Sequence, residues 1–325
     1  MLRIILKKYF VETWPLWLAC ALVLIFFPWI RIWTVSQFEL SGFAPLIEQF
    51  KAFEKFSPVP LSQFLTYEGI IGLTFAEPIL LLSVLTYSIA RGSDVVSGEL
   101  GRGTMEMLLA QPISRLKLLW SHAFISIAGL ASLCVLTWIG ILIGLHTNST
   151  LVLQPKSAVS IPGTPISFSN PFEESKSVLT PLHELVSSEL YIASTINLFS
   201  LGFFMFCLSV FMSSWDQYRW RTIGLVIGVY VAQFLLFVLS KSTPRTRFLM
   251  PFSFFGAYQP DWMVQSIANE KMPMFAIFRY RSVPNGFFTH IEVGPLGYSL
   301  ILIGLGVTLY AAGCIIFCRR DIPAP

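Results

Sequence analysis

The stretch SGELGRGTMEMLLAQPISR, Ser97 to Arg115, lies between two of the most apolar runs of the chain. It holds two acids, two arginines, three glycines and a proline. The runs on either side, about 70–90 and 118–145, each reach the roughly 20 apolar residues that cross a bilayer as a helix. The polar stretch therefore reads as a link between two membrane spans, and the fold follows from finding the other spans.

Composition supports that reading. Of 325 residues, 54% are hydrophobic and only 12% charged, about half the charged share of a soluble domain. So little polar surface does not cover a soluble fold of this length. Six runs are long and apolar enough to span, about 14–35, 70–90, 118–145, 191–213, 222–240 and 294–317. The expected fold is an all-α polytopic membrane protein of six helices, one membrane-spanning unit over 1–325. The N-terminus has a basic flank and an apolar run but no small-residue cleavage site, so it reads as an uncleaved first span. Arg31 interrupts that span, within snorkelling reach of the interface.

Half of the 22 lysines and arginines fall in four short segments, 1–13, 91–117, 214–221 and 318–325. The other half spread over the far longer 31–69, 146–190 and 241–293. The density of positive charge places the short segments, and both termini, on the cytoplasmic side. Arg3 and Lys7, with Leu2, Leu6 and Phe10 on a neighbouring face, suggest an interfacial helix before the first span; a charged flank of that span is the other reading. Five prolines between 155 and 181 suggest an irregular outer loop over 146–190. The aromatic stretch 250–280 suggests short helices packed across the outer ends of the spans.

Several chemistries have no motif. There is no GxxxxGK[ST] phosphate loop, no HExxH and no GxSxG. His122, His146, His183 and His290 lack ligand spacing, so no metal site is expected. No Lys/Arg-rich aromatic tract suggests nucleic acid. The five cysteines lie in or beside apolar runs and read as buried thiols. Inside the spans, Glu77-Pro78 stands out, because a carboxylate there is costly unless paired, protonated or wetted. It reads either as a group lining a substrate path or as a satisfied structural contact. Asn197 and Gln233 read as interhelical hydrogen bonders, and Gly140-x-x-x-Gly144 and Gly224-x-x-x-Gly228 as sites of close helix approach.

The link 91–117 has its own local logic. Gly101 and Gly103 break the helix leaving span two, and Thr104 is placed as an N-cap. Glu106 falls in the first turn, where the helix dipole favours an acid. Met105, Leu108 and Leu109 make one apolar stripe, and Pro112 stops the helix. The prediction is a helix of about two turns, too short to stand alone. It needs a surface to dock on, either the headgroup layer or another protein.

The stretch GELGRGTMEMLLAQPISRLKLLWSH also resembles the cytoplasmic signature of ABC-2 type permeases, the membrane subunits of ABC transporters. Glu99, Gly103, Thr104, Glu106, Leu108, Leu109, Pro112, Ser114 and Arg115 carry the resemblance. Ser121-His122 departs from the Gly-Lys usual near that place. CRRDIP at 318–323 is similar to the family's Arg-Asp finish. The resemblance implies that the short helix is a coupling helix docking on a separate ABC ATP-binding subunit. ATP and magnesium would be held there, with no cofactor on this chain and no enzymatic activity of its own. It also implies a second permease subunit, homo- or heterodimeric, export as the usual direction, and a bacterial inner membrane. Two other functions fit the residues: an ion-gradient-driven transporter using Glu77, and a non-transporting scaffold or sensor with a permease fold.

Overall fold

The computed structural model describes residues 2–37, 66–111, 114–153, 158–160, 167–169, 177–282 and 289–320. Six helical segments within these are long and apolar enough to cross a membrane, in the order read from the sequence. The first is α1, Leu2–Ser36. The second begins with α2, Tyr67–Gly72, and a 3-10 turn, Leu73–Ala76. Glu77 then breaks the helix in an extended conformation, and Pro78 at the first position starts α3, Pro78–Ser93, a place where its missing N–H costs nothing. After a short α4, Met105–Leu109, come α5, Arg115–Thr147; α6, Ile192–Trp215; and α7, Arg219–Ser242. The chain crosses the far end of the bundle with two 3-10 segments and α8, Pro260–Glu270, then closes with α9, Pro295–Arg319.

Three expectations need correction. No separate interfacial helix precedes span one: α1 runs unbroken through Pro15 and Pro28, so Arg3 and Lys7 are its charged flank. The 146–190 region is not irregular throughout. Ser149–Leu153 pairs antiparallel with Ser177–Pro181, and Ala158–Ser160 with Ser167–Ser169. Pro155, Pro162, Pro165 and Pro171 lie outside the described residues, and Pro181 closes a strand, where a missing N–H is tolerated. The element before span six is helical as expected but continues into a hairpin, Phe278–Ser282 with Thr289–Val293.

Helix α6 is the centre of the bundle and packs against α9, α3, α5 and α7. Its buried face is rich in small polar residues, among them Ser194, Asn197, Ser200, Ser209 and Ser213. Lipid tails are as apolar as leucine, so helices in a bilayer associate by close packing and interhelical hydrogen bonds. Both are visible. A Cβ on Gly140 of α5 would lie 2.6 Å from the Ile25 carbonyl oxygen of α1, so only glycine permits that approach. Asn197 Nδ2 donates to Ala257 O at 3.0 Å and meets Ser299 Oγ at 3.3 Å, and Tyr258 OH donates to Phe75 O at 2.6 Å. These bonds tie the crossing segment onto the spans. Helix α7 is different: only 11% of its apolar window is buried, and Gly224 and Gly228 face open space.

Candidate coupling site

The helix of span two does not stop at residue 90. It continues through a π-turn, Asp94–Gly98, into a last helical turn, Glu99–Gly101, so the link is shorter than 91–117. The cause of the π-turn is a side chain from α6. Ser213 Oγ accepts from Ser97 N at 2.9 Å and Val96 N at 3.3 Å and donates toward Ser93 O at 3.1 Å. A hydroxyl inserted into the helical ladder widens it. Ser97 Oγ donates back to Ser93 O at 2.7 Å and meets Thr222 of α7 at 3.1 Å.

This widened end carries acids into a buried cluster of charge. Asp94 receives Arg102 at 2.7 Å, Arg219 of α7 at 3.2 Å and Arg91 at 3.5 Å. Glu99 receives Lys8 of α1 at 2.6 Å and Arg102 at 3.3 Å, and accepts the Thr104 hydroxyl. The side chains of Glu99 and Asp94 are only 1% and 6% exposed. Arg91 Nη2 lies 3.0 Å from His122 Nε2. An arginine only donates, so Nε2 accepts and the imidazole proton sits on Nδ1, 3.5 Å from Ser126 Oγ. His122 is packed edge-on to Tyr9 and stacked on Phe206. It is therefore an interior residue rather than an interfacial one. Burial works against the charge of Arg102, but its hydrogen bond to Asp94 and the nearby carboxylates prevail and lift it above the usual guanidinium range.

The signature residues divide into two groups. Gly103 turns the chain with φ +68°, a left-handed conformation suited to glycine; Gly101 lies inside the last helical turn. Thr104 is not a side-chain N-cap, because its hydroxyl is spent on Glu99. Helix α4 has five residues, little more than one turn. Its apolar stripe turns inward: Met105 and Leu108 are buried and Leu109 packs beside them, against Ile5, Val95, Leu118 and Phe317. The face left outward carries Glu106 and Met107, the latter 72% exposed. Pro112 lies outside the described residues. Ser114 caps α5 by accepting from Lys117 N at 3.4 Å. Arg115 donates to Arg320 O at 2.6 Å and Phe317 O at 3.2 Å, satisfying carbonyls at the C-terminal end of α9. Arg320 in turn donates to Ser214 O and Asp216 O, both at 3.0 Å, at the end of α6.

A family model described as ABC-2 family transporter protein matches residues 8–251. The chain belongs to this family. No curated protein and no solved structure matches it. It is thus a multi-pass integral membrane protein and a permease subunit of an ABC transporter, a component of membrane transport. The match spans the first five membrane helices and the whole charged cluster, and ends before α8 and α9.

Several members of this ABC-2 permease's cluster carry no flag in a span-by-span reading: Lys8, Arg91, Asp94, Arg102, Ser213 and Arg219. The readable signal was the spacing of Arg91, Asp94, Glu99 and Arg102, which places acids and arginines along one side of a helix continuing past residue 90. Glu77, at the far end, is 3.4 Å from Arg31. Its carboxylate has a partner, and Arg31 pairs within the protein rather than reaching only for the interface. Among the described residues, no group of three metal-ligating side chains is close enough to hold an ion.

Proposed function

We propose that this permease is the membrane half of an ABC exporter, driven by a separate ATP-binding subunit that holds ATP and magnesium. It would sit with both termini cytoplasmic in a bacterial inner membrane, paired with a second permease subunit. The observation that carries the reading is the two-sided build of the segment Glu99–Leu109. Its outward face, Gly103, Glu106 and Met107, is free to dock. Its inward side is fastened to α1 through Lys8–Glu99 and, through Arg102–Asp94, to α7 and α3. A force on the tip reaches several spans at once through short pairs whose carboxylates are buried. The family signature thus supplies two functions: Glu106 and its exposed neighbours contact the partner, while Glu99, Thr104, Leu108 and Arg115 hold the tip to the bundle.

The test is to purify the tagged full chain from its native membrane and measure magnesium-dependent ATPase activity in the eluate. Glu106→Arg with Met107→Glu should abolish that activity while leaving the yield of folded permease unchanged. Equal ATPase activity with the double variant would overturn the docking assignment, and none with the native chain would overturn the ABC coupling.

A further inference from the structure

Beside the coupling site, a cavity of about 370 Å³ opens between α1, α3 and α7. Arg91, Arg102 and Arg219 line it, with Asp94 and Glu12 as the acids in its wall. Glu99 is already matched by Lys8 behind them. Three guanidiniums against two carboxylates leave one positive charge uncompensated in this wall. The donors are also in excess: the Nε groups of Arg91 and Arg219 are buried with no acceptor, an arrangement that costs free energy. Arg91 is itself only 4% exposed. Arg219 opens α7, whose first turn carries no acid, so the helix dipole adds to the attraction for an anion.

The surroundings give the anion's depth and its other half. Trp215, Tyr218 and Trp220, all strongly exposed, flank Arg219 at the α6–α7 turn. Exposed tryptophan and tyrosine of this kind sit at headgroup level. Leading away from the cavity, α3 presents an exposed stripe, Ile79, Leu82 and Thr86, that continues to Ala90 in the cavity wall. A cationic pocket at headgroup depth, continued by a mainly apolar stripe toward the bilayer centre, has the shape of a phospholipid.

We infer that this cavity binds the phosphodiester headgroup of a phospholipid, with Arg91, Arg102 and Arg219 on the phosphate and an acyl chain along α3. The single negative charge of a phosphodiester matches the single excess positive charge. This site is independent of the export reading, because its occupancy is measured without transport or a partner. Short-chain phosphatidylglycerol added to the detergent-purified full chain should raise its thermal midpoint and appear as a bound adduct in native mass spectrometry. Diacylglycerol and inorganic phosphate should do neither. Arg219→Gln should weaken the phosphatidylglycerol response by about tenfold, the order expected for one lost charge-assisted bond, and Arg219→Lys should restore part of it. Thr86→Trp, which obstructs the stripe without touching the charges, should weaken it too, so a misfolded arginine variant does not decide the matter. An undiminished response in Arg219→Gln and Thr86→Trp would overturn the site. A response to inorganic phosphate equal to that for phosphatidylglycerol would overturn the lipid in favour of a soluble phosphate.

Discussion

Glu99→Gln separates an internal clasp from a docking contact. The native carboxylate is 1% exposed, with Lys8 at 2.6 Å and Arg102 at 3.3 Å. Breaking a fully buried pair by removing one partner costs about 3–5 kcal/mol. That figure is too large here, because the Lys8 and Arg102 side chains are 31% and 41% exposed and recover water, and Arg102 keeps Asp94. Glutamine also keeps one acceptor for the Thr104 hydroxyl. The remaining loss is that of two charge-assisted bonds reduced to neutral ones, about 2 kcal/mol in total. The thermal midpoint of the detergent-purified chain should fall by several degrees, and trypsin should cut faster at Arg102, Arg115 and Lys117 as the tip loosens. Lys8→Met should give a smaller fall, and the two changes together less than their sum, because they share one interaction. Glu106→Gln, at an exposed position, should change neither measurement. If Glu99→Gln leaves the midpoint and cleavage untouched, or if its effect adds fully to that of Lys8→Met, the clasp is refuted.

Other substitutions test the packing around the site. Ser213→Ala removes the hydroxyl that serves Val96 N and Ser97 N; two buried donors lose their acceptor, and a loss of about 1–3 kcal/mol should appear as a lower thermal midpoint. Gly140→Ala forces a Cβ to within 2.6 Å of the Ile25 carbonyl and should destabilise by about 1–3 kcal/mol, whereas Gly224→Ala, facing open space, should leave the midpoint unchanged. Glu77→Gln should cost no more than about 1 kcal/mol, since its pair with Arg31 is partly exposed; a transport assay in which it abolished pH dependence would instead make it a working group of the substrate path.

The spans were legible because length and apolarity are enough to mark a membrane helix. All six appear where runs of about 20 apolar residues occur. The end of span two was misplaced for a physical reason. Arg91, Asp94 and Glu99 look like loop residues to a hydropathy reading, yet they neutralise one another and Lys8, so the helix carries them to residue 101. The roles of Thr104 and of the Met105–Leu108–Leu109 stripe were also misassigned. Local pattern shows that a hydroxyl or an apolar stripe needs a partner. It does not show that Glu99 and the permease's own core supply it. Ser213 lies more than a hundred positions from the π-turn it creates, and no local rule reaches that far.

That the clasp is made of ions rather than leucines bears on what it does. Replacing a buried ion pair with apolar residues of similar volume is often neutral or stabilising, so a pair retained for stability alone has an easy substitute. Lys8→Met with Glu99→Leu provides that comparison. Arg102 keeps Asp94 and reaches water, and the Thr104 hydroxyl keeps the backbone carbonyl of residue 99 at 3.2 Å. The double variant should therefore match the native thermal midpoint, while Glu99→Leu alone falls below it by leaving Lys8 only its longer, partly exposed pair with Glu12 at 3.6 Å. If the pair only staples α1 to the tip, transport by the double variant should also match. If the pair fixes the register in which the tip pulls on α1, apolar side chains, which pack without direction, should leave ATPase activity intact and lower transport per ATP. Native coupling in a fully stable double variant would refute the register role and leave Asp94, with its arginines on α3 and α7, as the route by which the tip moves the spans.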